Sequence, residues 1–381
     1  MLENKKSIFD LLDEAKNTGA SELDLYRFAT GFLEQKARDT NTPYHGHFEL
    51  TPLCNLDCKM CYVHLKDSQI QGRRVLSPEV WIALMQQAID AGMVSASLSG
   101  GECLTYPHFD EVFLFLKSKG ISVGVLTNGL LLNQERVEFF REYSPKGIQI
   151  SLYGSSETAY GKVTGKQVFS TVLENIRLAN QARLPIHIMI SPNRYMMDDV
   201  KHVISLAKDL GVPYSINSML VTPRKNTGRE KNEFDISMKE YVDILKYDCQ
   251  LNGREIYPRE PITLETGREK DCVNSGLQCG SGKSGFSIHW DGSMHPCVLL
   301  ESVVAYPIRD GFIPAWEYIN DEVRHFPRFR KCMDCRYSEA CGFCASENEK
   351  LGSRFILDPS WCENTRSMIE NGLRHVDNIC D

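Results

Sequence analysis

The chain predicts an α/β protein built on a parallel sheet with helices outside, and three observations predict it. From residue 47, short β-rich runs alternate with segments that carry apolar residues every three or four positions. Glycines sit where those helices should stop. The rhythm runs through six strand–helix units and ceases near residue 250. Successive parallel strands each need a crossover, usually a helix, to bring the chain back. Six units suit either an open doubly wound sheet or a curved partial barrel, and the pattern alone does not choose. In both, ligands gather at the carboxyl ends of the strands.

Taken in order, residues 7–38 read as two amphipathic helices, with Ile8, Leu11, Leu12 and Ala15 on the first face and Leu23, Leu25, Phe28, Phe32 and Leu33 later. The expected strands are His47–Thr51, Ser95–Ser99, Ser122–Thr127, Gly147–Leu152, Pro185–Ile190 and Tyr214–Val221. Helices are expected near Pro78–Ala91, Phe109–Lys119, Gln134–Glu142, Val168–Gln181, Met197–Leu210 and Met238–Tyr247. Ser77-Pro78-Glu79 is a helix start, with a capping hydroxyl before a first-turn proline. Gly92, Gly120 and Gly211 are the stops. Beyond about residue 250 the chain is rich in Cys, Gly and Pro with little periodicity, so it should need bound metal rather than a conventional core. The expected organisation is a helical segment 1–45, a strand–helix domain 46–235 and a cysteine-rich region 236–381.

Composition excludes several classes. With 381 residues, 42% hydrophobic and 24% charged, the chain is an ordinary globular sequence, large enough for one extended domain or two. The balance of 43 basic and 50 acidic residues leaves a net charge of −7, which offers no global field for nucleic acid and no polybasic membrane tether. No run approaches the roughly 20 apolar residues of a membrane helix. The first residues lead into an amphipathic stretch rather than a signal-peptide core, so a cytoplasmic location is expected. Fourteen cysteines in such a chain point to metal or catalysis. The competing reading, a secreted disulfide scaffold, is disfavoured by the length and the missing signal.

After the first strand comes Cys54-Asn-Leu-Asp-Cys58-Lys-Met-Cys61-Tyr62. Three thiolates at this spacing can wrap one side of a cubic iron–sulfur cluster and leave the fourth iron without a protein ligand. A structural zinc site would want four ligands, and its usual paired spacing is absent. Cys54, Cys58, Cys61 and Tyr62 resemble the signature of the radical SAM superfamily. The resemblance implies a partial (β/α)6 barrel holding a [4Fe–4S] cluster whose open iron chelates the amino and carboxylate groups of S-adenosylmethionine. It further implies reductive cleavage to methionine and a 5′-deoxyadenosyl radical that abstracts hydrogen from carbon. A low-potential electron donor of flavodoxin or ferredoxin type is implied with it.

The second strand ends in Ser99-Gly100-Gly101-Glu102. Glycines there let backbone approach a ligand closely, and a carboxylate can hold an ammonium group. An ordinary strand-ending turn is the bland alternative. By resemblance, Gly100, Gly101 and Glu102 bind the methionyl amine. Cys103 stands where the family often has proline; it is either a small buried residue or a thiol near the radical. Ser151, in Gln149-Ile150-Ser151-Leu152-Tyr153-Gly154, resembles a family serine that contacts the cofactor. Asn128 ends the third strand at the same rim and is a candidate lining residue. Ser191-Pro192-Asn193 ends the fifth strand with no assignable role.

A second field contains Cys272, Cys279, Cys297, Cys332, Cys335, Cys341, Cys344 and Cys362, two sets of four. Zinc knuckles are the bland reading, yet only five residues separate the two Cys-x2-Cys pairs. The field resembles the SPASM domain, which holds two auxiliary [4Fe–4S] clusters, giving three clusters in all. By resemblance, Cys272, Cys279, Cys297 and Cys344 hold the first auxiliary cluster, with Cys272 the least secure ligand. Cys332, Cys335, Cys341 and Cys362 hold the second. Cys341 and Cys344 lie two residues apart where the module usually has three, which puts their assignment in doubt. Cys103, Cys249 and Cys380 are left over.

Related SPASM enzymes mostly modify peptides or proteins, so the expected function is net two-electron oxidation of such a substrate, forming a thioether or carbon–carbon crosslink. The sulfatase-maturating type ranks lower, because Val298 stands where that subclass has an aspartate base. Peptide epimerisation would need a hydrogen-donating thiol such as Cys103. About 45 residues precede the first strand, short of a peptide-recognition domain, which suggests a separate recognition protein or a small-molecule substrate. From a different class, the chain could be an iron–sulfur electron carrier or scaffold; the Gly-Gly-Glu rim argues against it.

Overall fold

The structure, a computed structural model, describes residues 21–374 except 71–73, 219, 225–226, 229, 258–261 and 263–269. The first of the two expected N-terminal helices lies outside the described residues; the second is Glu22–Thr40. Six parallel strands follow: β1 (His45–Glu49), β2 (Ser95–Ser99), β3 (Ser122–Thr127), β4 (Gly147–Ser151), β5 (Ile186–Ile190) and β6 (Tyr214–Ile216). Each pairs with the next in parallel register, from His45 opposite Ser95 to Ile190 opposite Ile216. This is the partial (β/α)6 barrel that the rhythm and the cysteine motif together predict.

The helices match their pattern closely, at Pro78–Asp90, Phe109–Ser118, Gln134–Glu142, Phe169–Gln181, Val200–Asp209 and Met238–Leu251. Gly92, Gly120 and Gly211 all take positive φ, at 111°, 74° and 64°, which ends each helix without a Cβ penalty. The last helix runs four residues past its expected end. Its start is fixed by a capping box in which Ser237 and Glu240 satisfy each other's backbone N–H. Strand β6 is shorter than expected. The Asn217 N–H still reaches the Ile190 carbonyl, but the Asn217 side chain then bonds Ser191 Oγ at 2.7 Å and the chain turns off the sheet.

One expectation about the C-terminal region is corrected. Strands β7 (Cys272–Asn274), β8 (Gly285–Ile288), β9 (Met294–His295) and β10 (Pro327–Phe329) follow. β8 pairs in parallel with β1, so the β8–β9 hairpin extends the barrel sheet to eight strands in the order β6-β5-β4-β3-β2-β1-β8-β9. Helix Phe312–Arg324 turns Phe312, Ala315, Trp316, Ile319 and Val323 into the same core as the barrel. Phe286 ties them together, 5.8 Å from Phe48, 5.2 Å from Phe312 and 6.1 Å from Trp316. This segment has a conventional core because the helix repeats its apolar face at i, i+3, i+4, i+7 and i+11, a pattern hidden by the Gly and Pro around it. The stretch around Cys332–Trp361 rests instead on small satellite clusters. Among the described residues, no helix is long and apolar enough to cross a membrane.

Candidate active site

The inner face of β1 and β2 is polar. His45 meets Ser95 at 3.1 Å and Ser97 at 3.3 Å, and His47 Nε2 meets Ser99 Oγ at 2.5 Å. Burial pushes His47 down to about 4, so at neutral pH it is an uncharged hydrogen-bonding group. Above these side chains, at the carboxyl ends of the strands, lies a cavity of about 360 Å³. Cys54, Cys58 and Cys61 line it, together with Tyr62, Gly100, Gly101, Glu102, Asn128 and Ser151. Every residue expected at this rim except Cys103 is therefore brought to one wall.

The Gly-Gly-Glu segment, which lines the cavity, is also packed closely against the cysteine loop. The Gly101 and Glu102 N–H groups donate to the carbonyls of Thr51 and Leu53, at 2.7 and 2.9 Å. The glycines thus let the start of the cysteine loop cross the end of β2 in contact. Glu102 is 1% exposed and turns inward, accepting from Asn128 N at 2.7 Å, Thr127 Oγ1 at 2.8 Å and Leu104 N at 3.1 Å. Burial raises its carboxyl, and these donors oppose the rise by favouring the charged form. Asn128 donates from Nδ2 to Asn55 Oδ1 at 2.7 Å and to Cys54 Sγ at 3.7 Å. The cysteine loop is tied from outside as well, by Asp57 N to Thr164 O and Lys59 N to Val163 O.

Cys103 lies behind the lining rather than in it. It is fully buried in the main core, and its thiol donates to the carbonyl of Leu126, a lining residue, at 3.2 Å. Burial raises this thiol well above its ordinary value, and the Glu102 charge adds to the rise. This is the environment of a packed, protonated cysteine. Cys103→Ala is accordingly expected to keep the wild-type rate of S-adenosylmethionine cleavage and to lose about 1 kcal/mol of stability. A collapse of turnover at intact iron content, measured by chromatography of 5′-deoxyadenosine, would restore a chemical role.

The second cysteine field surrounds a cavity of about 480 Å³ lined by Cys279, Cys297, Cys332, Cys341 and Cys344. Burial pushes Cys332 up to about 11, and its negative neighbours are Cys362, Cys341 and Cys335. Burial also raises Cys344 and Cys297; Cys344 has Cys297 among its neighbours, and Cys297 has Cys279. Cys332 thus has Cys335, Cys341 and Cys362 near it, and Cys297 has Cys279 and Cys344. Cys272, on β7, packs against the apolar cluster of Phe329, Leu357 and Trp361, as Cys332, Cys344 and Cys362 also do.

The sulfur surroundings fit iron–sulfur ligation. Leu56 N donates to Cys54 Sγ at 3.4 Å, His64 N to Cys61 Sγ at 3.2 Å, and Thr365 Oγ1 to Cys341 Sγ at 3.4 Å. Such donors stabilise thiolates, whereas burial alone pushes Cys54 up to about 12; a bound cation reverses that penalty. The Ser346 hydroxyl, on the lining of the second cavity, is buried without a partner. Among the described residues, no three His, Cys, Asp or Glu side chains close on a single metal ion.

Residues 48–207 match the model of the radical SAM superfamily. The chain carries a radical SAM domain. The subtilosin biosynthesis protein AlbA of Bacillus subtilis is 24% identical over 357 residues, covering 90% of this chain and 76% of that protein. The AdoMet-dependent heme synthase of Methanosarcina barkeri is 26% identical over 347 residues, covering 85% of this chain and 97% of that protein. Among solved structures, SuiB of Streptococcus suis bound to S-adenosylmethionine superposes with a TM-score of 0.65 over 93% of this chain and 88% of that one. At 15% identity this is a likeness of fold. A second SuiB structure, bound to its precursor peptide SuiA, gives the same TM-score.

Several side chains of the radical SAM cavity were missed in the sequence. Gln149 and Tyr153 share the face of Ser151 on and beyond β4, a period-two signal that could have found them. Ser191 and Asn217 line the cavity, while Asn193 instead caps a turn by accepting from Tyr195 N. Val298 and Leu299, directly after Cys297, complete the wall.

Proposed function

We propose that this protein is an enzyme that reductively cleaves S-adenosylmethionine and oxidatively modifies a peptide or protein substrate, forming a crosslink such as a thioether or carbon–carbon bond. One observation carries the reading: the three-cysteine cavity and the second cysteine field adjoin along one short segment, in which Cys297 and Leu300 line the second cavity and Val298 and Leu299 line the first. When bound, the cluster and cofactor supply a carbon-centred oxidant at the first site, and the auxiliary clusters supply an electron sink or a Lewis acid at the second. Cys54, Cys58 and Cys61 would hold the first cluster. Cys279, Cys297 and Cys344, with Cys272, would hold one auxiliary cluster, and Cys332, Cys335, Cys341 and Cys362 the other.

The chain's own residues shape the reaction space. Asn128 and the Leu56 N–H stabilise the Cys54 thiolate, and Glu102 locks the β2 and β3 ends together through Thr127 and the Asn128 N–H. Ser151 and Tyr153 face the cavity from β4. AlbA, a bacteriocin biosynthesis protein, and SuiB, bound to its precursor peptide SuiA, support a peptide as the substrate class; a low-potential donor and a separate recognition protein belong to the proposal as its partners. The heme synthase, spanned over 97% of its length, favours a small-molecule substrate as the second reading.

The test is anaerobic reconstitution, with dithionite and S-adenosylmethionine, followed by assay of 5′-deoxyadenosine. Three clusters require about 12 iron per chain, against about 4 plus zinc for the zinc-knuckle alternative. Absence of 5′-deoxyadenosine with intact clusters would defeat the enzyme reading. Cys341→Ala is expected to spare uncoupled cleavage while losing about 4 iron per chain and product formation. Full iron in that variant would remove Cys341 from the ligand set.

A further inference from the structure

Arg224 lies in the loop after β6, outside every motif above, yet it is only 6% exposed. Its guanidinium grips Glu49, at the end of β1, through paired bonds of 2.8 and 2.7 Å. Nη2 also donates to the Val298 carbonyl at 2.9 Å and lies 3.0 Å from His289 Nε2 on the residue after β8. Burial first, and the Arg224 charge second, hold His289 well below its ordinary value, so its Nε2 accepts from the guanidinium. On the other side, the Arg224 N–H donates to the Tyr62 carbonyl at 3.2 Å, and the guanidinium lies 5.7 Å from the Tyr62 ring.

Tyr62 follows Cys61 and Val298 follows Cys297. One buried residue therefore bonds to the residue after the last cysteine of the first site and to the residue after a cysteine of the second. Stability alone does not call for such a residue, because well-packed apolar side chains in place of a buried ion pair are often neutral or better. What a planar five-donor fork adds is fixed geometry among several acceptors at once, which neither an apolar side chain nor the point charge of lysine provides.

We propose that Arg224 is a positioning residue that sets the separation and orientation of the two cysteine sites by holding Val298–Leu299 as a wall of the first cavity. The proposal rests on the reading that both sites carry clusters. A loosened wall lets the second site drift from the first, and weakens any through-space interaction between them without touching a ligand of either.

The experiment compares reduced, reconstituted wild type with Arg224→Lys and Glu49→Gln, in the presence of S-adenosylmethionine. Three quantities are read: iron content, the change that S-adenosylmethionine makes in the electron paramagnetic resonance spectrum, and the microwave power saturation of the signal so changed. Wild type should show relaxation enhanced by the neighbouring reduced cluster. Arg224→Lys should keep its iron and its response to S-adenosylmethionine but lose that enhancement, and Glu49→Gln should lose part of it. Unchanged saturation in Arg224→Lys, even with a lowered melting temperature, would overturn the proposal and leave Arg224 a merely stabilising group. Should Arg224→Lys lose iron, Glu49→Gln decides by the same criterion. A wild type that shows no spectral response to S-adenosylmethionine would instead sink the parent reading of the first site.

Discussion

Cys58→Ala is expected to abolish S-adenosylmethionine cleavage, with the yield of 5′-deoxyadenosine falling to the background of a mock reaction. Three thiolates are the fewest that can hold a cubane by one face, and removing one leaves two irons without protein ligands. Cys58 is also the most buried of the three, at 7% exposed, so neither water nor a buffer thiol can readily take its place. The loop itself should survive. Asp57 N and Lys59 N remain bonded to the Thr164 and Val163 carbonyls on either side of the change, and alanine is smaller than the thiol it replaces. The second field is untouched, so iron should fall by about 4 per chain rather than vanish. Wild-type cleavage by this variant would mean that the cofactor binds elsewhere. Loss of all iron would mean that the loop, not the ligand, had failed.

Much of this site was legible because its chemistry is local in sequence. Cys54, Cys58, Cys61 and Tyr62 occupy one loop, Gly100–Glu102 one strand end, and Ser151 the end of a strand whose pattern is regular. The strand–helix rhythm placed them on one rim before any coordinates, since parallel strands put all their carboxyl ends on one side. What stayed hidden is what depends on contacts between distant segments. Arg224 gains its meaning from Glu49, Tyr62, His289 and Val298, none of which is its neighbour in sequence. Glu347, 0% exposed, is a second case: its carboxylate takes the Thr222 N–H and hydroxyl and lies 3.3 Å from Lys231 Nζ. A lone charge amid apolar residues, as Glu49 is between Phe48 and Leu50, was the one sign available that a buried partner existed. The β8–β9 hairpin was invisible for another reason. Two short strands in a glycine-rich stretch carry almost no periodicity, and only pairing with β1 makes them strands.

Gly101→Ala should cost the protein both stability and cofactor binding, and it separates two meanings of the Gly-Gly-Glu segment. If the glycines served only to admit a ligand, the apo fold would tolerate a methyl group and only affinity would suffer. The geometry says otherwise. A Cβ at Gly101 would stand 2.3 Å from the Leu53 carbonyl oxygen, 2.6 Å from its carbon and 2.7 Å from the Pro52 oxygen. All three are main-chain atoms of the loop leading to Cys54, and no rotamer change relieves a clash with backbone. The loop must move, which strains the Gly101 N–H to Thr51 and Glu102 N–H to Leu53 bonds and carries Cys54 with it. Overpacking of this kind and two weakened hydrogen bonds together amount to about 2–4 kcal/mol. Gly124→Ala on β3 is the matched control, since its Cβ would lie 3.7 Å from Ser97 Oγ, an ordinary contact. Thermal melts of the apo proteins should therefore show a clear drop for Gly101→Ala and little for Gly124→Ala. After reconstitution, only the former should lose iron at the first site and its spectral response to S-adenosylmethionine. A Gly101→Ala protein with a wild-type melt but weakened S-adenosylmethionine binding would return the glycines to a direct ligand-binding role.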